Sequence, residues 1–425
     1  MKRLAASGMA ALVLAFGGAQ AGELGALLHD ALAHPAIAAR QAQVQAAQSQ
    51  VDAAGARYLG SGTASVDQST YESSRYLGVF NPPAFSNPAF ARTQFRYGAE
   101  YRLPVDLFGA IAATRAAAQQ DLAAAELALR QETLMKLHQT VTAYARLLAL
   151  RTQEQALAVQ RQRVMDTLDR VTVQVQTGAL GITDLKLAQS ELAQVESERV
   201  RLDGERTQAL ATLKEITGIR QPPALAALAV PAWDAASPER TLPAQIADAH
   251  ARAAEAQARA ARRALWPSVS AVTDYYRYDG GGHDQDTWSV GARVSLPLDF
   301  GAWRQTAAAD AVAQAARDRR AAAQRQAESQ LATLKAAYDA ALAEIAALQS
   351  EVDYREQVAA VQNELAAVGA ISVEDRLRHA RQRAEAEARL AQARAQAVET
   401  WSAAQVLSGI DPERYIRAID ATAPD

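Results

Sequence analysis

The chain contains no cysteine. That excludes a disulfide-stapled scaffold, thiolate metal sites, a cysteine nucleophile and a lipid-modified N-terminal cysteine, and it suits an oxidising compartment. Aromatic residues make up only 6% of 425 residues, and with four methionines there is no cluster to suggest a soft-metal relay. After the N-terminal segment no apolar run approaches the roughly 18 residues a membrane-spanning helix needs. The net charge is −3, which does not fit a nucleic-acid-binding surface. The six histidines, His29, His34, His138, His250, His283 and His379, show no metal-ligand spacing. Gly280-Gly281-Gly282 is followed by no Lys-Ser/Thr pair, so it is not a phosphate loop. No nucleophile is paired with a base. These absences argue against an enzyme, a metal centre and a cofactor.

What is abundant is alanine, 102 residues or 24% of the chain. It is the best helix former, and Glu, Gln, Arg and Leu supply much of the remainder. The bias points to long packed helices. At the start, Lys2 and Arg3 precede an apolar stretch from Leu4 to Phe16, and Ala19-Gln20-Ala21 gives a small-x-small pattern before Gly22. Residues 1–21 read as a cleaved signal peptide. An N-terminal anchor is the alternative, but the stretch is too short to span comfortably. An exported chain of this kind is either soluble outside the cytoplasm or crosses a membrane as a β-barrel.

The sequence repeats itself. Leu103-Pro104-Val105-Asp106-Leu107-Phe108-Gly109 is echoed by Leu296-Pro297-Leu298-Asp299-Phe300-Gly301. Gly178-Ala179-Leu180 through Thr183-Asp184 is echoed by Gly369-Ala370-Ile371 through Glu374-Asp375, and Gly218-Ile219 by Gly409-Ile410. The offsets are 193 at the prolines, then 192, 191 and 191. The reading is a first repeat over 22–218, a connector over 219–243, a second repeat over 244–410 and a C-terminal tail over 411–425. Each repeat is expected to hold a helix (25–57; 244–265), two strands, a very long helix (110–176; 302–367), a glycine turn and a return helix (183–217; 373–408). Gly178 and Gly369 sit where a helix C-terminus favours glycine. Thr183 and Ser372 lie where a hydroxyl caps a helix start.

Leu127, Leu134, Val141 and Leu148 recur every seven residues, and Leu157, Val164, Leu168, Val171 and Val175 continue the pattern, as in helices that face partners. A helix of about 67 residues is roughly 100 Å long, so end-to-end stacking of the first and return helices is expected to match its length. Of 24 aromatics, 17 lie within 58–108 and 266–303. There Phe95, Tyr97, Ala99, Tyr101 and Leu103 alternate with Gln94, Arg96, Gly98, Glu100 and Arg102; Trp288, Val290, Ala292, Val294 and Leu296 alternate with Ser289, Gly291, Arg293 and Ser295. Such strands have one apolar face, as in a membrane barrel or at the edge of a soluble sandwich. Asp279 to Gly282 is expected to form a flexible loop between strands 269–278 and 288–296, and a longer loop spans 73–91. Four strands are too few for a barrel, so closure requires several chains.

Together these residues resemble the TolC-like outer-membrane efflux protein family over about 23–412. The resemblance implies a mainly α fold with a small β part: tandem coiled-coil hairpins and four amphipathic strands per chain, forming a shared twelve-stranded barrel and a periplasmic helical tunnel in a homotrimer, with the 219–243 connector at its equator. It implies the outer membrane of a Gram-negative bacterium, a large periplasmic part, and contact with outer-membrane lipid. The implied function is a passive conduit of a tripartite efflux or type I secretion system, with a periplasmic adaptor (membrane fusion protein) and an inner-membrane pump of RND or ABC type. The alternative is an exported trimeric helical stalk or a periplasmic adaptor with no pore. By the resemblance, Gly178, Ala179, Leu180, Gly369, Ala370 and Ile371 form adaptor-docking tips, and Pro104, Gly109, Pro297 and Gly301 form barrel-to-helix turns. Asp184 falls at a gate-linking acid and Asp375 at an entrance acid. Ile371 replaces a gate arginine of some members and Arg378 a second acid, so Glu374, Arg376 and Arg378 are expected to pair differently across subunits. The bland alternative for these charges is a solvated tip.

Overall fold

The computed structural model describes residues 23–79, 89–235, 237–367 and 371–422. The predicted signal peptide, part of the 73–91 loop, Gly369 and Ala370 lie outside the described residues. In chain order the elements are α1 (Glu23–Leu32), α2 (Pro35–Ala56), β1 (Ser61–Tyr76), β2 (Phe90–Val105), α3 (Ala110–Gln176), α4 (Ile182–Thr217), α5 (Leu242–Arg263), β3 (Ser268–Gly280), β4 (His283–Ser295), α6 (Phe300–Ala367), α7 (Val373–Ser408) and α8 (Pro412–Asp420). The fold is mainly helical with one small antiparallel sheet, as the composition and alternation imply.

Three local differences from the sequence reading have physical causes. The first helix is broken at residues 33–34, because Pro35 has no N–H to continue it; His34 Nδ1 accepts from Ala36 N (3.1 Å) and restarts it. The β3–β4 connection is a two-residue turn instead of a flexible loop. Gly281 and Gly282 both have positive φ (61° and 82°), which suits a tight hairpin and lets the ladder run on to Gly280 and His283. The C-terminal segment carries a helix, α8, capped by Asp411, whose Tyr415, Ile416 and Ile419 are buried.

The four strands form one sheet in the order β1-β2-β3-β4, each neighbour antiparallel. Below it, α3 packs along α2 and α4 on one side and α5 and α7 on the other, and α6 packs on α5 and α7. Short helices thus stack end to end beside the long ones, and the layer is four helices wide. Leu134 and Val141 of the predicted seam are fully buried, as are Leu137 and Tyr144 between its positions, while Leu127 and Leu157 pack partly buried against the same core.

That core lies at mid-length, where the inter-repeat connector wraps the helices. Trp401 Nε1 donates to Ala232 O (3.0 Å) and Tyr338 Oη to Pro231 O (2.6 Å). Glu23 accepts from Leu225 N (2.9 Å), Ala224 N and Tyr144 Oη (3.1 Å). Those bonds hold Leu225 at φ 62°, the one positive-φ non-glycine among the described residues. His138 Nδ1 meets Ser402 Oγ at 2.8 Å, and Ser402 in turn bonds Tyr415 Oη.

Candidate functional site

The sheet register sorts its side chains into two faces. On one face the rungs read Ala64, Ala99, Tyr275, Trp288, then Gly62, Tyr101, Thr273, Val290, and then Leu103, Ala271, Ala292 and Val105, Val269, Val294. The same parity continues past the strands to Leu107, Leu298 and Phe300. Trp288 is 74% exposed, Val290 72% and Phe300 84%, so this apolar face is uncovered within the chain. On β4 itself this face runs from Trp288 to Val294, six residues, about 20 Å of strand and roughly 15 Å of height at barrel tilt, within the span of a bilayer's hydrocarbon layer. At the hairpin end the face turns charged, with Arg277 on Asp284 at 2.8 Å.

The opposite face is polar. Its rungs read Asp67, Arg96, Tyr278, Gln285, then Ser65, Gly98, Tyr276, Thr287, then Thr63, Glu100, Asp274, Ser289. Charges are paired within it: Arg96 with Asp67 (2.7 Å), Arg102 with Glu100 (2.8 Å). Gly98 is required here, since a Cβ on it would come within 2.7 Å of the Tyr276 ring and of Ser65 Oγ. The Tyr276 ring lies over this backbone with Arg96 stacked on it at 5.4 Å. A polar face with its arginines paired to carboxylates, opposite an apolar one, is the arrangement of a water-filled barrel in lipid.

At the strand-to-helix junctions, Pro104 is the penultimate residue of β2, on a rung with Ser270, so the turn itself is 106–109. Gly109 caps α3 in the left-handed region (φ 69°), and its carbonyl accepts from Arg263 at 2.8 Å. Asp106 belongs to the repeated motif, and the structure gives it a role that the sequence did not assign. Its carboxylate accepts from Ala112 N (2.9 Å), Ile111 N (3.2 Å) and Tyr58 Oη (3.1 Å). Desolvation alone would raise its pKa, but those bonds outweigh it and hold the group below the usual carboxylate range. In the second repeat the junction is one residue shorter, Leu107 having no counterpart. Pro297 stays in the connection, while Gly301 falls inside the first turn of α6 and donates to Asp299 Oδ1 (2.7 Å).

At the first tip, Gly178 (φ 76°) ends α3, and Ala179 N and Leu180 N both return to Gln174 O. The cap of α4 is Gly181 instead of Thr183, because Asp184 supplies the reciprocal bond to Gly181 N (3.3 Å) from the first turn. At the second tip, Ile371 is partly buried and Ser372 caps α7: its Oγ accepts from Asp375 N (3.0 Å) and donates to Asp375 Oδ2 (2.7 Å). Arg378 pairs with Asp375 in the same chain. Glu374 is exposed. Arg376 is partly buried, and burial, with Arg170 nearby, pulls its pKa down. Asp184 therefore caps α4 directly, while Asp375 braces Ser372, the residue that caps α7.

Sequence reasoning missed a polar seam above the tips. Gln153, Gln160 and Thr167 are buried on α3, seven residues apart, interleaved with Leu157, Val164 and Val171. Beside them Glu191 of α4 is buried; it accepts from Gln160 Nε2 and from Arg381 Nη1 of α7, each at 3.4 Å. A cavity of about 360 Å³ opens there between the first repeat's hairpin and α7. The signal was available in the heptad pattern, which holds glutamine and threonine in the positions between the apolar ones.

Among the described residues, no helix is long and apolar enough to cross a membrane, and no group of three or more His, Asp or Glu is placed to hold a metal. A lipid-facing sheet face carried on long helical hairpins defines a subunit of a membrane conduit. The family model "Outer membrane efflux protein" matches residues 27–219 and 244–409, and the chain belongs to that family. It is an outer-membrane efflux channel component, and the family is one of conduits, not of enzymes. Among solved structures, the outer membrane protein VceC of Vibrio cholerae matches with a TM-score of 0.77 at 19% identity, over 91% of this chain and 96% of that one. The CmeC outer membrane channel of Campylobacter jejuni matches at 0.73 and 16% identity, over 95% and 90%. The MtrE outer membrane channel of Neisseria gonorrhoeae, in its open state, matches at 0.74 and 18%, over 91% and 89%. Likeness at such identities speaks to the fold. No curated protein matches the sequence.

Proposed function

We propose that three copies of this chain close into a ring: a twelve-stranded barrel continuous with a twelve-helix tunnel, working as the passive outer conduit of a tripartite efflux or type I secretion system. The observation that carries this is the open sheet. The outer edges of β1 and β4 have no strand partner among the described residues, yet the face between them is apolar and exposed. Lipid does not tolerate an open edge, so β4 of one copy pairs with β1 of the next. Two copies would give eight strands, whose interior side chains fill, whereas the paired charges of the polar face call for water. In this reading a periplasmic adaptor docks at the tips around Gly178–Leu180 and Gly369–Ile371 and parts the lower helices, and an inner-membrane pump supplies the energy.

The absence of native cysteine makes the test direct. Val290→Cys is combined in turn with Gly62→Cys, Ala64→Cys and Val66→Cys, and the membrane-inserted protein is oxidised. The expected product is a covalent closed species of three chains that conducts ions in planar bilayers. An open-ended ladder, or well-inserted protein that never crosslinks across this edge, refutes the ring.

A further inference from the structure

The four strand-to-helix junctions lie at one level of the molecule, because the rungs Ser61–Arg102, Val105–Val269 and Ser268–Ser295 tie the same strand ends together. Just on the helical side of that level stand Arg57, Arg115, Arg262, Arg263 and Arg304, all exposed. Arg262 is neutralised by Asp310 at 2.7 Å. The other four have no carboxylate partner among the described residues; Arg263 spends one N–H on the Gly109 carbonyl. The two nearby carboxylates are engaged elsewhere, Asp106 with the first turn of α3 and Asp299 with Gly301 N. At the same level, Phe108 packs on Trp266 (5.2 Å) and, in the first turn of α6, Phe300 on Trp303 (6.5 Å), all four rings exposed.

Aromatic rings of this kind sit at the boundary between hydrocarbon and headgroups, and arginines beside them reach the phosphate layer. We propose that this arginine collar binds the phosphates of anionic phospholipids in the leaflet facing the helical part. The proposal rests on reading the apolar sheet face as lipid-facing. Guanidinium pairs bidentately with phosphate, and four arginines per chain without an ion-pair partner among the described residues favour a headgroup of net negative charge over a zwitterionic one, whose own cation already neutralises its phosphate. Each arginine near such a headgroup is worth about fivefold in affinity, so two contribute about thirtyfold before salt screening.

The test uses the full chain, purified in detergent and stripped of lipid. Tryptophan fluorescence, with Trp266 and Trp303 beside the collar, follows titrations with dioctanoyl phosphatidylglycerol, dioctanoyl phosphatidylcholine and inorganic phosphate. The expected result is at least about tenfold tighter binding of phosphatidylglycerol than of phosphatidylcholine, and no response to inorganic phosphate. Arg115→Gln with Arg304→Gln brings the two lipids to within about twofold. Arg319→Gln with Arg325→Gln, exposed charges about 22 and 32 Å further along α6, keeps the full preference. Equal affinities in the unmodified chain, a preference that survives in the Arg115/Arg304 variant, or competition by inorganic phosphate overturns the collar. Flotation with phosphatidylcholine vesicles separates the two readings: if the chain and its variants float but show no preference, the collar alone falls; if none floats, the lipid-facing face falls with it.

Discussion

The contact between Glu191 and Arg381 joins the first repeat's return helix to the second repeat's, and cutting it is expected to loosen the lower end of the tunnel. Glu191 is 8% exposed and Arg381 45%, with 3.4 Å between them. A fully exposed pair is worth about 0–1 kcal/mol, and removing one partner of a fully buried pair costs about 3–5 kcal/mol. With one end buried and the other half in solvent, Arg381→Ala is placed at about 1–2 kcal/mol per chain. In a threefold ring that becomes about 3–6 kcal/mol of bias, or about 10²–10⁴ in the ratio of open to closed entrances. The assay is single-channel conductance in planar bilayers. Arg381→Ala is expected to open the pore most, because it leaves a buried carboxylate with only Gln160. Adding Glu191→Ala removes that orphaned charge, so the double variant falls between Arg381→Ala and the unmodified chain. Unchanged conductance in Arg381→Ala with the ring intact refutes the reasoning, and so do strictly additive effects, which would mean the two residues are not coupled.

Three further outcomes follow from the geometry. Asp184→Ala with Asp375→Ala removes the carboxylate that caps α4 and the one that braces the Ser372 cap of α7, and is expected to cost about 0.5–1 kcal/mol per helix and to raise conductance through frayed tips; circular-dichroism melting and bilayer recordings check both, and a rise in conductance without loss of stability would assign the acids to a gate instead. Gly98→Ala places a Cβ 2.7 Å from the Tyr276 ring and pushes it off the sheet, so lower conductance is expected, with Tyr276→Ala in the same chain restoring it. Burial holds His138 below the ordinary histidine range. The unfolded chain takes up that proton near pH 6.5 while the folded one does not. Stability from this group is therefore complete above about pH 6.5 and is lost as pH falls toward the depressed folded value; melting between pH 7 and 5 should decline less steeply in His138→Gln.

The repeat, the strand alternation and the long helices were legible because each is a periodic signal that spans many residues. Helix spans were read to within a few residues where glycine or a change of period marks the end. The misreadings are local and come from single residues. Pro35 breaks a helix whose alanine-rich sides keep the same composition on both flanks. The loss of a counterpart to Leu107 moves Gly301 from a turn into a helix. Thr183 has the right chemistry for a cap, but Asp184 reaches the backbone first. The Gln153–Gln160–Thr167 seam escaped because a search for apolar heptads passes over the polar rungs between them. The connector around Leu225 was invisible for a different reason, since its conformation is set by Glu23, about 200 residues away in sequence.

The divergence of the two repeats follows from where each sits in the layer. Helix α3 has neighbours on both sides within its own chain, and it buries leucine, valine and tyrosine. Helix α6 is its repeat equivalent but lies at the edge, packed within the chain on α5 and α7 and on part of the connector. It carries Val312, Tyr354 and Val361 more than half exposed on an otherwise alanine-rich surface. A solitary chain gains nothing from an apolar stripe on a solvent edge, and the opposite edge shows the same feature at Val200 of α4, 69% exposed. Two different apolar edges on one chain fit a head-to-tail contact, which closes into a ring when the rotation between copies divides a full turn with no rise along the axis. In the ring proposed above, alanine on α6 is expected to let the next copy's helices approach closely.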